Sequence, residues 1–213
     1  MYETEQASPG PLTDVVRPAP TDRAILPALA GRWSARAIDP ARAVTRTQVA
    51  TLLEAARWAP SSGNAQPWRY LVFDDQVARA RDQARDCLRR GNAWARRAPV
   101  LLLSLAQLYR PDSDERIPTA HHDLGAASLS LCVQAVGDGL VAHQMAGFDA
   151  QLARSRFGIG DRFEPVAMIA IGHPGPVTQL DEGRREKETA PRQRRPVGEI
   201  ARFEHCDGPA FSV

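Results

Sequence analysis

Apolar residues recur along this chain at two spacings, and the segments they mark alternate. Val49, Leu52, Leu53 and Ala56 fall at helical spacing. Thr45-Arg46-Thr47-Gln48 ahead of them has the spacing of a capping box, so a helix is expected to start there and to stop at Pro60. Gln76–Arg90 predicts an amphipathic helix with Val77, Ala80, Ala84 and Leu88 on one side, and Asp22–Ala30 a short one ended by Gly31. His121–Val136 predicts a long, well-buried helix closed by Gly137 and Gly139, and Asp149 is placed to cap a further helix reaching Phe157. Tyr70–Phe73 and Val166–Gly172 predict strands, the latter closed by His173-Pro174-Gly175. Pro99–Ala106 is continuous in apolar residues, which suits a buried strand, with a buried helical turn as the other reading. Residues 110–118 read as a polar loop, and residues 176–213 as extended and irregular. Helices and short strands alternate, with loops long for a doubly wound sheet, and the expected class is a layered α+β domain.

Composition narrows the class. The 213 residues are 43% hydrophobic and 24% charged, the balance of a globular chain able to bury a sizeable core. The 27 basic and 25 acidic residues are interleaved at a net charge of +2, so no basic stripe points to nucleic acid. Pro9, Pro11, Pro18, Pro20 and Pro27 crowd the start, and residues 1–24 are expected to be a flexible arm ahead of a single domain over 25–213. Cys87, Cys132 and Cys206 are far apart and form no C-x-x-C, which argues against a disulfide framework or a zinc knuckle. The start, Met1-Tyr2-Glu3-Thr4-Glu5, lacks the pattern of a signal peptide, and the longest apolar run is too short for a bilayer; a cytoplasmic location is expected.

Candidate chemistry gathers in four places. Pro60-Ser61-Ser62-Gly63-Asn64-Ala65-Gln66-Pro67 sets hydrogen-bonding side chains around a glycine between two stiff ends, a loop that can approach a flat polar ligand closely. Arg32-Trp33-Ser34-Ala35-Arg36 converges two guanidinium groups and a hydroxyl whether extended or helical, which suits a phosphate dianion. Met145-Ala146-Gly147 precedes the Asp149 cap, and Arg192-Gln193-Arg194 precedes Pro196. Taken singly, these are also the features of a surface turn, a solvated basic face, a strand-to-helix turn and a basic tail. His121-His122-Asp123 imitates a metal cluster, but adjacent histidines on a helix point about 100° apart, and no metal is expected. His143 reads as a packed or interface histidine and Cys132 as inert core.

In order and spacing these motifs resemble the FMN-dependent nitroreductase family, over about residues 25 to 200. The loop is similar to the family's P-S-S-x-N-x-Q-P-W, and Arg32, Ser34 and Arg36 to its R-x-S-x-R phosphate grip. The resemblance implies that Arg32, Ser34, Arg36, Arg192 and Arg194 hold the flavin phosphate, with Trp33 also among the cofactor-binding residues. Pro60, Ser61, Ser62, Asn64 and Gln66 would line the flavin, and Asn92 would reach its pyrimidine ring. Met145, Ala146 and Gly147 would offer a main-chain N–H to flavin N5, while Trp68 belongs to the core and Arg69 to the surface. Some relatives carry a glutamate near this loop, and this chain does not.

The fold so implied is an α+β sandwich around a mixed, mostly antiparallel sheet. It forms an intertwined homodimer with FMN at the subunit interface and an arm from about residue 176 reaching across the partner. The implied activity is reduction of nitroaromatics, quinones or similar acceptors by NADH or NADPH through a ping-pong hydride shuttle. Alternatives are another flavin reaction on the same scaffold (dehalogenation, enone reduction or flavin destruction), a non-enzymatic FMN-binding protein, or an anion- or nucleic-acid-binding module.

Overall fold

The apolar run after Pro99 forms strand β3 (Val100–Gln107), buried along its whole length. Its side chains divide between two cores: Leu101, Leu103 and Leu105 enter one, and Val100, Leu102 and Ala106 the other. A strand covered on both faces has no solvent side to mark with polar residues, which explains the unbroken apolar pattern. The one hydroxyl in it, Ser104 Oγ, donates to the Ala167 carbonyl and accepts from the Ala167 N–H, both at 3.1 Å, where the strand register shifts. The computed structural model describes residues 17–212, so residues 1–16 of the expected arm lie outside the described part.

The sheet is built on β5 (Phe163–Pro174), which pairs with β3, with β4 (Val141–Met145) and with β1 (Ile38–Asp39). Strand β2 (Trp68–Phe73) lies on the far side of β3. Every pairing among the described residues is antiparallel, where a mixed, mostly antiparallel sheet was expected. One face carries α2 (Arg46–Arg57) and α4 (Ala120–Gly137), through Leu52, Ala56, Leu124, Ala127 and Leu131. The other carries α3 (Ala78–Asp86) and α5 (Ala150–Phe157), through Ala84 and Ala153. This is the layered α+β arrangement expected from the pattern.

Local chemistry accounts for the helix ends. Thr45 and Gln48 form the reciprocal capping box at α2. Asp149 accepts from the Leu152 N–H at 2.9 Å and starts α5, which Gly158 ends in the left-handed conformation.

Four expectations change. The helix foreseen over 22–30 is only α1 (Pro27–Gly31), because Pro27 suits a first turn and not an interior. The helix foreseen over 76–90 is a 3₁₀ turn, Asp75–Val77, followed by α3, with a second 3₁₀ stretch over Arg90–Arg97 that holds Asn92. The stretch before Ala146 is strand β4, so Met145 is a buried strand residue. Residues 176–213 are not irregular throughout: they contain α6 (Glu182–Thr189), capped by Asp181, and α7 (Val197–Ile200).

Candidate functional site

The sequence-predicted clusters form separately, and the first is cationic. Arg192 is half-buried and donates from Nη1 to the carbonyls of Arg17 and Ala30, each at 2.7 Å, and from Nη2 to that of Arg32 at 2.8 Å. The Arg17 guanidinium stacks 4.5 Å from the Trp33 ring centre. Burial, followed by the charges of Arg32, Arg194 and Arg17, pushes the Arg192 pKa down. The hydrogen bonds of Arg17, Arg192 and Arg194 all go to main-chain carbonyls, and among the described residues no carboxylate pairs with these arginines or with Arg32. Ser34 lies exposed beside them. Crowded cations without anions favour a bound anion, and forked guanidinium donors suit a phosphate.

Arg36 is turned elsewhere. Its Nη1 lies 3.4 Å from Glu188 Oε2, and its main-chain N–H donates to Glu188 Oε1 at 2.6 Å. It also borders a cavity of about 280 Å³ with Ala93, Trp94, Arg97 and Arg184. Between Arg36 and the cationic cluster, His143 on β4 shares a 2.9 Å hydrogen bond from Nδ1 to the Ala35 carbonyl. Burial lowers the His143 pKa from 6.5 to about 4, with Arg36 and Arg32 adding to the effect, so the ring is neutral and Nδ1 carries the proton toward that carbonyl.

At the far end of β4, Asn92 Nδ2 donates to the Gly147 carbonyl at 3.0 Å, and the Arg89 N–H donates to the same oxygen at 3.1 Å. A Cβ on Gly147 would stand 2.6 Å from Asn92 Nδ2, so glycine is what allows this approach. Ala146 is exposed and Gly147 half-exposed, and the N–H groups of both lack an acceptor among the described residues.

The serine–asparagine loop sits at the N-terminal end of α4. The Ser62 N–H donates to Asp123 Oδ2 at 3.1 Å, Thr119 Oγ1 to the same oxygen at 2.8 Å, and Ser61 Oγ accepts from the Gln66 N–H at 3.0 Å. Burial alone would raise the Asp123 pKa, but bonds from His122, Thr119 and Ser62 outweigh it and hold the carboxylate ionised. Gly63, Asn64 and Gln66 all have positive φ, at 54°, 54° and 46°. Left-handed backbone at a glutamine is costly, and the surrounding hydrogen bonds hold it there.

The model of the Nitroreductase family matches residues 29–173. The chain belongs to the nitroreductase family. A solved structure described as an oxidoreductase containing FMN is 30% identical, with a TM-score of 0.83, covering 89% of this chain and 96% of that one. A curated relative in Bacillus subtilis, "Putative NAD(P)H nitroreductase YdgI", is 26% identical across 67% of this chain and 84% of its own. A solved structure from Desulfovibrio desulfuricans, described as "a putative nitroreductase in complex with fmn", is 26% identical, with a TM-score of 0.66, covering 87% of this chain and 98% of that one.

Set against the nitroreductase pattern, the chain gathers Arg32, Trp33, Arg192 and Arg194, and joins Asn92 to Gly147. Pro60, Ser61, Ser62, Asn64 and Gln66 stand apart, on Asp123. Asp123, Arg17 and Glu188 were not foreseen as members of these clusters. Asp123 was weighed only as a metal ligand, and no metal cluster occurs among the described residues. Arg17 sits in a proline-rich stretch with no periodicity. Glu188 gave no local signal, because it sits in a charged stretch where a carboxylate reads as solvated.

Proposed function

We propose that this chain is an FMN-dependent oxidoreductase that uses NAD(P)H to reduce nitroaromatic, quinone or similar electron-poor acceptors, working as a homodimer. Bound FMN would supply the redox chemistry, hydride transfer between the nicotinamide and the acceptor, and the residues of this chain would hold and orient it. The observation that carries this reading is the cluster of Arg17, Arg32, Arg192 and Arg194 with no carboxylate partner among the described residues. Arg32 and Arg194 have donors to spare for a phosphate, while Arg192 holds the main chain that presents them.

The rest of the site fits the same ligand. The free N–H groups of Ala146 and Gly147 would serve flavin N5, and Asn92 would hold the ring edge beside them. Arg36, lying next to Trp94, would approach from that side and not with the phosphate cluster. With no protein nucleophile required, these residues bind, orient and exclude water. We take the enzyme to work in the cytoplasm, where NAD(P)H is supplied.

A flavin titration tests this. Followed by flavin fluorescence, Arg32→Ala and Arg36→Ala are each expected to weaken FMN binding by about tenfold or more, the scale of a charge-assisted hydrogen bond. Purified parent protein that takes up no FMN and oxidises neither NADH nor NADPH with a quinone present would overturn the reading.

A further inference from the structure

Glu188 is fully buried, yet it lies on α6, a helix of otherwise charged and polar residues. A carboxylate out of water is costly unless it is fully bonded. Its partners all lie more than 150 residues earlier: Oε1 accepts the N–H groups of Arg36 at 2.6 Å and Ala37 at 3.0 Å, and Oε2 faces Arg36 Nη1 at 3.4 Å. The Ala35 carbonyl is held from β4 by His143. The segment Ala35–Ala37 is therefore clamped from two elements at once.

We propose that Glu188 is a positioning residue of the flavin site, setting the direction of the Arg36 guanidinium and offsetting part of its charge. This rests on the FMN reading above. Fastening α6 to the chain ahead of β1 needs only the two N–H bonds to Oε1. The second oxygen is spent on the guanidinium, which the fastening does not require. Arg97 and Arg184 line the same cavity as Arg36. Asp181 lines the cavity too and pairs with Arg184, so an Arg36 released from Glu188 would be pushed by Arg97 and drawn toward Asp181, away from its present direction. Glu188 supplies the opposing charge from behind and keeps Arg36 pointed.

A double-mutant cycle on the full chain reads this directly. Glu188→Gln is expected to remain folded by circular dichroism and to weaken FMN binding about tenfold, in line with a lost charge-assisted contact. Combined with Arg36→Ala, it should add no further loss, because both changes remove one action. Parent-like FMN affinity in folded Glu188→Gln, or losses that multiply in the double variant, would show Glu188 to be a structural tether only and overturn the proposal. Should Glu188→Gln fail to fold, Glu188→Asp keeps the charge but draws it back by one methylene. Weakened FMN binding there supports the proposal, and parent affinity overturns it. A parent chain that binds no FMN fails the flavin reading and is recognised before any variant is compared.

Discussion

His143 is a histidine kept neutral next to two arginines. Folding lowers its pKa from 6.5 to about 4, chiefly by burial. Its folded value lies below its unfolded one, so the unfolded chain binds the proton more readily. The stability it contributes is complete above about pH 6.5 and is lost as the pH falls from there toward 4. The size at stake is on the order of 3 kcal/mol. His143→Asn does not titrate and can still donate to the Ala35 carbonyl. In urea unfolding at pH 7.5 and pH 4.5, the parent is expected to lose more stability than this variant. Equal losses would mean that His143 is hydrated. His173, also lowered by burial, titrates in both proteins and cancels. At this scale the sequence was legible where chemistry sits in short runs: Arg32 to Arg36 and the 60–66 loop stood out by residue type and spacing, and the family resemblance added Gly147. It was illegible where a partner is remote. Nothing local tells that Arg36 answers to Glu188 or Ser62 to Asp123, because those bonds span 152 and 61 residues.

Among the elements, α2 was readable to its first residue, because a capping box is written in four consecutive positions and needs no tertiary context. Thr45→Ala is expected to cost about 1 kcal/mol in chemical denaturation, as cap losses do, with FMN affinity unchanged. A null effect would show that packing of Val49 and Leu52 alone sets the helix start. Helix α4 was equally plain from its length, whereas the run that forms β3 left a buried helical turn open, because a continuous apolar stretch carries no period. Strand β4 was not plain, because five residues next to glycines and a polar His-Gln pair look like a loop until β5 is alongside. Helix α6 was hidden for the opposite reason. Its charged composition reads as a solvated tail, and its one inward anchor is a carboxylate, a residue type that pattern reading assigns to water.

For the whole molecule, the decisive relation is between the two ends of α4. The Ser61–Gln66 loop rests on Asp123 in its first turn, whereas Gly31–Trp33 pack with Cys132 and Val136 near its last. Nine to thirteen residues separate these positions, about 14–20 Å along the axis. The outer face of α4 carries Gly125, exposed Leu129 and half-exposed Ala126, Val133 and Val136, small and apolar enough for close packing. A two-fold dimer that crosses α4 against its copy sets one chain's loop beside the other's arginines, since such an interface pairs unlike ends of the same element. That arrangement makes a prediction no single-chain site shares. On that arrangement Arg32→Ala would remove the phosphate side of the proposed site, and Asn64→Ala the loop side. Each homodimer should reduce acceptors poorly. Unfolded together and refolded as a mixture, they should form heterodimers in which one site carries both defects and the other carries neither. Activity should then rise well above that of either variant, toward half of the parent value per heterodimer. If the mixture stays at the average of the two variants while sedimentation confirms exchange of subunits, each site is built from one chain, and the crossing of α4 on its copy is not how this protein is assembled.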